Sequence, residues 1–259
     1  MEFIDQIGRR IDLNKTPSRI VSLVPSQTEL IVTLGLETQL VGITKFCVHP
    51  SHLRAEKTIV GGTKKVNYEK IKALQPDVII CNKEENTREM VLRLETIAPV
   101  WVSDISSISQ SNEMIEKLGT LFGKKRQALN LISKIETELN DFQIYMKLVP
   151  RKKVIYTIWK DPFMAAGRNT FINTLLELNN FENCIIEENS RYPIISLNEM
   201  DRAELVLLST EPYPFNKHHV VALQNEIRRK VRLVNGEYFS WYGSRLLFAF
   251  DYFRSLHQV

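Results

Sequence analysis

The stretch KKRQALNLISKIETELNDFQIYMKL, residues 124–148, predicts one long helix in the middle of the chain. Its apolar side chains recur at steps of four and three residues, at Ala128, Ile132, Ile135, Leu139, Phe142 and Met146. This spacing places them on one face of an α-helix. No glycine or proline interrupts the stretch, and Pro150 follows it. We therefore expect an unbroken helix of about 35 Å, at roughly 1.5 Å per residue.

Short apolar runs alternate with helical segments on both sides of this helix. Strands are predicted at residues 20–24, 41–43, 78–81, 99–102, 154–158, 205–208 and 231–234. Capping boxes are predicted at Ser26–Glu29 and Ser196–Glu199. Alternating strands and helices are typical of parallel α/β sheets. The predicted fold class is therefore α/β, with two Rossmann-like lobes over residues 1–123 and 150–259 joined by a linking helix over 124–149.

Composition excludes several classes of protein. The 259 residues carry a formal net charge of +4, and 44% of them are hydrophobic, which is typical of a globular chain. No uncharged apolar run reaches the roughly 18 residues of a bilayer helix. The basic residues are dispersed, so no nucleic-acid partner is expected. Residues 1–20 contain no apolar core of a secretory signal, so the protein is cytoplasmic or its signal is missing from this sequence.

The motifs of common catalytic and metal sites are missing from the sequence. It contains no Gly-x-Gly-x-x-Gly, Gly-x-Ser-x-Gly, Cys-x-x-Cys or His-Glu-x-x-His. The five histidines are scattered, and the adjacent pair His218 and His219 would point apart on a helix or strand. We therefore predict no catalytic residues, no metal site and no cofactor.

Aromatic residues concentrate in the loops that follow the predicted strands of the C-terminal lobe. In open α/β sheets, ligands bind at the carboxyl ends of the strands. A set of rings on such loops packs into the core or meets a large apolar ligand. The members of this set are Trp159, Phe163, Tyr192, Tyr213, Phe215, Tyr238, Phe239, Trp241 and Tyr242.

Several stretches together resemble a known family. They are RIVSLVPS at residues 19–26 with Thr28-Glu29-Leu30, Val60-Gly61-Gly62, NYEKIKALQPDVI at residues 67–79, and Asp161-Pro162-Phe163 ahead of Gly167. Over residues 18–257 the chain resembles the substrate-binding proteins of ABC importers for cobalamin, ferric siderophores and haem. It is most similar to the cobalamin-binding branch.

This resemblance implies a non-enzymatic receptor that works outside the cytoplasmic membrane as a monomer. Its fold would be that of a class III periplasmic binding protein, with a corrinoid or related metal chelate held between the lobes. The implied ligand-binding residues are Pro25, Phe46, His49, Thr63, Trp159, Phe163, Tyr192, Trp241 and Tyr242. The implied docking residues for the permease of the ABC transporter are Glu69 and Glu199. The sequence departs from the cobalamin branch at Thr63, Asn82 and Ile194, where that branch has tryptophans.

Two other functions remain open at this point. In the first, the same receptor binds haem or a ferric siderophore. Tyr192 or Tyr242 would then serve haem iron, or Arg168, Arg191 and Arg245 would serve a siderophore. The second is a cytoplasmic enzyme of two α/β lobes.

Overall fold

The computed structural model describes residues 1–187 and 189–258. The chain forms two compact units. Unit 1 contains residues 1–105, 109–135 and 242–245, and unit 2 contains the described residues of 106–108, 136–241 and 246–259. The long helix contributes residues to both units, and the segment 242–245 belongs to unit 1 although it lies near the C-terminus.

Unit 1 is built on a five-stranded parallel sheet and an N-terminal antiparallel hairpin. The hairpin strands are β1 (Glu2–Ile4) and β2 (Arg10–Asp12), and the sheet strands are β3 (Ile20–Ser22), β4 (Leu40–Ile43), β5 (Thr58–Ile59), β6 (Val78–Asn82) and β7 (Val100–Ser103). Their order in the sheet is β5-β4-β3-β6-β7. The helices are α1 (Pro25–Thr33), α2 (Leu53–Glu56), α3 (Tyr68–Ala73), α4 (Arg88–Glu95), α5 (Ile108–Leu121) and the long α6 (Lys125–Met146), with a 3-10 turn at Glu37–Gln39.

Unit 2 contains a second sheet of the same kind. Its strands are β8 (Lys152–Trp159), β9 (Met164–Ala165), β10 (Phe181–Asn183), β11 (Leu205–Ser209) and β12 (Lys230–Val234). The order β10-β8-β11-β12 is parallel, and β9 pairs antiparallel with β8. The helices are α7 (Phe171–Leu178), α8 (Leu197–Met200), α9 (Lys217–Glu226), α10 (Glu237–Ser240) and α11 (Leu246–Leu256), and a 3-10 turn covers Gly243–Arg245. The predicted α/β class with parallel sheets is therefore confirmed.

The central strands explain why apolar runs identified the sheets. Every residue of β6 and of β11 is buried, because helices cover both faces of a parallel sheet. The unbroken helix predicted from the apolar stripe is also confirmed, since α6 contains 22 residues, about 33 Å. In unit 2 its Phe142 is fully buried and lies 5.8 Å, centroid to centroid, from the rings of Phe250 and Phe253.

One of the two predicted capping boxes is wrong. Helix α1 begins at Pro25 after Val24, and no side chain caps it. Proline is favoured at the first helical position because the missing N–H has no partner there in any helix. The second capping box is confirmed, since Ser196 and Glu199 exchange hydrogen bonds at the start of α8.

A histidine directly follows α11, and its protonation is expected to destabilise unit 2. Burial, aided by the charges of Lys152 and Arg232, lowers the pKa of His257 to about 4. Its Nε2 lies 3.1 Å from Oδ1 of Asn179. In the unfolded chain the imidazole takes up its proton near pH 6.5. Its stabilising contribution is therefore complete above that pH and is lost as the pH falls towards 4.

Between pH 7 and pH 4.5, we expect the unfolding free energy of both the wild type and the His257→Gln variant to fall. The wild type should lose about 1–2 kcal/mol more than the variant, after allowing for partial solvent screening. Urea unfolding at both pH values measures this difference. Glutamine is uncharged and retains a donor for Asn179. Equal losses in the two proteins would contradict the expected role of His257.

Candidate functional site

We call the loops that follow the parallel strands of each unit its carboxyl-end loops. Those of unit 1 present one exposed aromatic ring. Phe46, in the loop after β4, is 48% exposed. Nζ of Lys45 lies 5.0 Å from the ring centroid, within the range of a cation–π contact. The ring also lies against Gly62, where an added Cβ would meet its Cε2 atom at 3.2 Å. The Phe46 ring therefore contacts Lys45 and Gly62, and about half of the side chain remains exposed to solvent.

Thr63 lies in a tight turn after β5, next in sequence to Gly62. Gly61 has φ +132, and an added Cβ there would lie 2.6 Å from the carbonyl oxygen of Lys65, so this position requires glycine. The N–H of Gly62 donates to the same carbonyl at 2.8 Å. Nδ2 of Asn86 donates to the carbonyl of Thr63, also at 2.8 Å. The half-buried Thr63 is thus held by its backbone.

Two further residues of unit 1 that were predicted to bind the ligand, Pro25 and His49, are less exposed than Phe46. Pro25 is buried and begins α1 directly after β3. His49 is half-buried and precedes Pro50 through a cis peptide bond. The nearby Cys47 is buried between the hydroxyls of Thr28 and Thr44, and this burial raises the pKa of its thiol. The structure therefore assigns the thiol no role as a nucleophile or a ligand.

Tyr242 belongs to a buried polar cluster of unit 1. Its hydroxyl accepts a hydrogen bond of 3.0 Å from Nε2 of Gln27, which also donates to Oγ of Ser103. Nδ2 of Asn82 donates to the carbonyl of Ser103 at 3.2 Å. Burial raises the pKa of Tyr242, so the phenol stays protonated. Sequence analysis missed Gln27 and Ser103 because they are 76 residues apart and no local pattern links them.

Unit 2 exposes a tryptophan at the carboxyl end of its central strand. Trp159, the last residue of β8, is 41% exposed. The ring of Tyr213 meets it edge-on, with centroids 5.6 Å apart and planes at 75°. Tyr213 in turn lies 4.6 Å from the ring of the buried Phe215. This aromatic ladder, Trp159–Tyr213–Phe215, anchors an exposed indole to the core of unit 2.

The remaining aromatic residues predicted for unit 2 are more enclosed. Phe163 is half-buried and packs against the core, and its carbonyl accepts from the N–H of Ile195 at 2.9 Å. Tyr192 is half-buried, and its N–H donates to Oγ of Ser190 at 3.2 Å. Trp241 is 7% exposed and directly follows α10. Although Trp241 and Tyr242 are neighbours in sequence, they belong to different units.

The two predicted docking glutamates occupy the first turns of short helices. Glu69 is exposed in α3, which Asn67 caps by accepting from the N–H of Lys70 at 3.0 Å. Glu199 is half-buried in α8, and its Oε2 accepts from both the N–H and the hydroxyl of Ser196 at 2.8 Å. These hydrogen bonds lower the pKa of Glu199, so its carboxylate is charged.

Glu199 also lines a cavity in unit 2. The cavity has a volume of about 340 Å³. Ile155, Ile185 and Ile195 are its buried wall residues, while Ile186 and Ile194 on its margin are exposed. Glu187 and Arg202 line the cavity as well, so charged side chains share it with the isoleucines.

The sequence matches a family model over most of its length. Residues 20–211 match the model described as periplasmic binding protein. The chain belongs to the periplasmic binding protein family. Because members of this family bind solutes and do not catalyse reactions, the prediction of a non-enzymatic protein is confirmed and the two-lobed enzyme is excluded.

Two curated members of the periplasmic binding protein family illustrate the sequence similarity. The ABC transporter substrate-binding lipoprotein YvrC of Bacillus subtilis is 27% identical over 192 residues, which cover 71% of this chain and 60% of YvrC. The vitamin B12-binding protein of Vibrio vulnificus is 22% identical over 192 residues, which cover 73% of this chain and 70% of that protein. The match therefore spans less than two thirds of the length of YvrC and leaves 30% of the vitamin B12-binding protein uncovered.

Solved periplasmic binding proteins share the fold. The vitamin B12 binding protein BtuF of Vibrio cholerae has a TM-score of 0.80 at 20% identity, covering 94% of this chain and 99% of that one. A haem binding protein of Pseudomonas aeruginosa has a TM-score of 0.80 at 21% identity, covering 93% and 92%. The siderophore binding protein BauB has a TM-score of 0.79 at 16% identity, covering 100% and 98%. These likenesses confirm the predicted class III fold.

Within the described part of this family member, no helix combines the length and the apolar character that a bilayer crossing requires.

Proposed function

We propose that this protein is the solute receptor of an ABC importer and that its solute is a metal chelate with a large planar or apolar surface. A corrinoid is the first candidate. The receptor works outside the cytoplasmic membrane and delivers the chelate to a permease. Family membership and the similarity to YvrC support the transport role. The vitamin B12-binding relatives support the corrinoid.

The observation that carries the choice of solute is the exposed indole of Trp159. An exposed tryptophan loses favourable burial, at about 25 cal/mol per Å² of apolar surface. Trp159 is nevertheless held in place by the aromatic ladder below it. A rigid exposed ring at the carboxyl end of a central strand suits stacking against a flat ligand. In unit 1, Phe46 offers a second ring of this kind.

Absorption spectroscopy tests the proposed solute class. The protein is incubated separately with cobalamin, haemin and a ferric siderophore, and free ligand is removed by desalting. We expect one of the three to remain bound at a ratio near one to one, and cobalamin is the expected one. If none of the three remains bound, the metal-chelate assignment is wrong.

A haem or ferric-siderophore receptor is the alternative within the same fold. Arg168 is exposed and Arg191 is half-buried in loops of unit 2, which suits an anionic chelate. Arg245, by contrast, is buried in an ion pair with Glu29 and does not serve this purpose. Retention of haemin or of the siderophore in place of cobalamin favours this alternative.

Replacement of the exposed rings is expected to weaken solute binding without harming the fold. We expect Trp159→Ala to reduce affinity for the retained chelate by about 10- to 100-fold, or about 1–3 kcal/mol. Phe46→Ala should act in the same direction. Fluorescence titration measures affinity, and thermal unfolding reports on the fold.

Phe248→Ala provides the matched control for these variants. Phe248 is 57% exposed on α11, outside the carboxyl-end loops. We expect its replacement to leave affinity unchanged. An equal loss of affinity in the control variant would remove the special role of Trp159.

Removal of the two charges at Glu69 and Glu199 is expected to weaken docking to the permease while leaving solute affinity intact. The double variant Glu69→Gln/Glu199→Gln is preferred to alanine, because glutamine retains an acceptor for Ser196 at the start of α8. Alanine at position 199 would cost about 0.5–2 kcal/mol of stability through the lost cap. Binding to the purified permease in nanodiscs measures docking.

The paired variant Lys70→Gln/Arg202→Gln serves as a control, since it changes charges one and three residues away from the glutamates. We expect the Glu69/Glu199 variant to lose at least tenfold in permease affinity and the control to lose less. If solute affinity fell as much as permease affinity, the docking role would be wrong.

A further inference from the structure

Three side chains of types that bind metals converge on the surface of unit 1. They are Glu37, His52 and Glu56, and one ligand atom from each lies within 4.8 Å of the others. Nε2 of His52 lies 2.8 Å from Oε1 of Glu37. Sequence analysis predicted no metal site because the histidines are scattered. Glu37 lies 15 residues from His52, and no motif links the two positions.

The local backbone keeps the side chains of Glu37, His52 and Glu56 close together. His52 precedes α2 and Glu56 ends it, so their spacing of four residues places them on one face of the helical turn. Between them, Leu53 is fully buried and fixes α2 to unit 1. Nζ of Lys57 donates to the carbonyl of Glu37 at 2.8 Å, which ties the two ligand-bearing segments together.

We propose that Glu37, His52 and Glu56 form a binding site for a divalent transition-metal cation, with zinc as its representative. An imidazole nitrogen and two carboxylates are ligand types that zinc accepts, at about 2.0–2.2 Å, and a water molecule completes the usual four. Donor atoms within 4.8 Å of one another need only small side-chain rotations to reach these distances. Both carboxylate residues and the imidazole are partly exposed, so the cation has access from solvent.

Two residues of the cluster precede strands of the unit 1 sheet. Glu37 lies before β4 and Glu56 before β5, at the amino ends of these strands. Phe46 and Thr63 follow the same two strands at their carboxyl ends. The cation would therefore cross-link the segments that enter the two strands, through Glu37 and Glu56, to His52 in the connection between them.

Titration calorimetry with ZnCl2 on chelator-stripped, solute-free protein tests the proposal. We expect one zinc ion per chain and a melting temperature that rises by about 3–6 °C at tenfold excess over the dissociation constant, with reversal by EDTA. Both His52→Ala and Glu56→Gln should lower zinc affinity at least tenfold. Glu56→Gln leaves the contact between His52 and Glu37 in place, so it guards against a simple loss of folding.

His218→Ala is the matched control, because His218 is an exposed histidine on α9 of unit 2. It should bind zinc as the wild type does. The proposal is overturned if wild-type protein shows no zinc response, if both cluster variants bind as well as wild type, or if the control variant alone loses binding. None of these results bears on retention of a metal chelate, which is measured separately.

Discussion

Replacement of Glu29 by alanine is expected to lower the free energy of unfolding by about 3–5 kcal/mol, because it leaves a buried guanidinium without its counter-charge. Glu29 lies on α1, and Arg245 lies in the segment 242–245 that belongs to unit 1. Their side chains are 13% and 9% exposed. Nε of Arg245 donates to Oε2 of Glu29 at 3.1 Å, and Nη2 lies 2.8 Å from Oε1 as an ion pair.

Urea unfolding measures this loss, and a surface ion pair of the same unit supplies the comparison. Glu113 and Lys117 are 2.8 Å apart on α5, with side chains 49% and 35% exposed. Glu113→Ala should cost less than about 1 kcal/mol, as is usual for exposed pairs. The double variant Glu29→Leu/Arg245→Leu should recover much of the loss, because it removes both charges together. A Glu29→Ala variant no less stable than Glu113→Ala would show that the pair contributes nothing.

Replacement of Trp241 by alanine is expected to affect both stability and solute binding. The side chain is 7% exposed, so its truncation should cost about 3–5 kcal/mol of unfolding free energy through lost burial and the cavity left behind. Trp241 also directly follows α10, in the segment that leaves the carboxyl end of β12 in unit 2. We therefore expect an additional 10- to 100-fold loss of affinity for the retained chelate, or about 1–3 kcal/mol.

Thermal unfolding and ligand titration of the same variant separate the two effects. Trp241→Phe keeps an apolar ring and should retain most of the stability, with a smaller change in affinity. Unchanged affinity in a destabilised Trp241→Ala variant would make Trp241 a core residue only. The aromatic part of the proposed solute site would then rest on Trp159 and Phe46.

Much of the fold could be predicted from local patterns in the amino-acid sequence. Strands β6 and β11 are apolar up to their last residues, Asn82 and Ser209, because they are buried on both faces. Helix α6 has an apolar stripe because one of its faces packs on a core. The capping box at Ser196 was readable because its partners are three residues apart. At Ser26 the same pattern gave a wrong prediction. Helix α1 begins at Pro25, and its N-cap residue is Val24, two residues before the predicted Ser26.

The candidate site was readable only in part. The positions of Phe46 after β4 and of Trp159 at the end of β8 could be predicted, because each is at the carboxyl end of a strand in its own parallel sheet. The exposure of the aromatic side chains could not be predicted from strand order. Tryptophan is exposed at position 159 and buried at position 241. That difference depends on which neighbouring elements cover each loop.

The sequence by itself determined the α/β class, the long helix and the positions of the loops, because each depends on residues within about a turn or a strand of one another. Tertiary structure alone decided which residues meet across long separations. Arg245 meets Glu29 across 216 residues, Tyr242 meets Gln27 across 215, and His52 meets Glu37 across 15. No periodicity links such pairs, since their proximity is produced by the packing of whole elements and not by the geometry of one helix or strand.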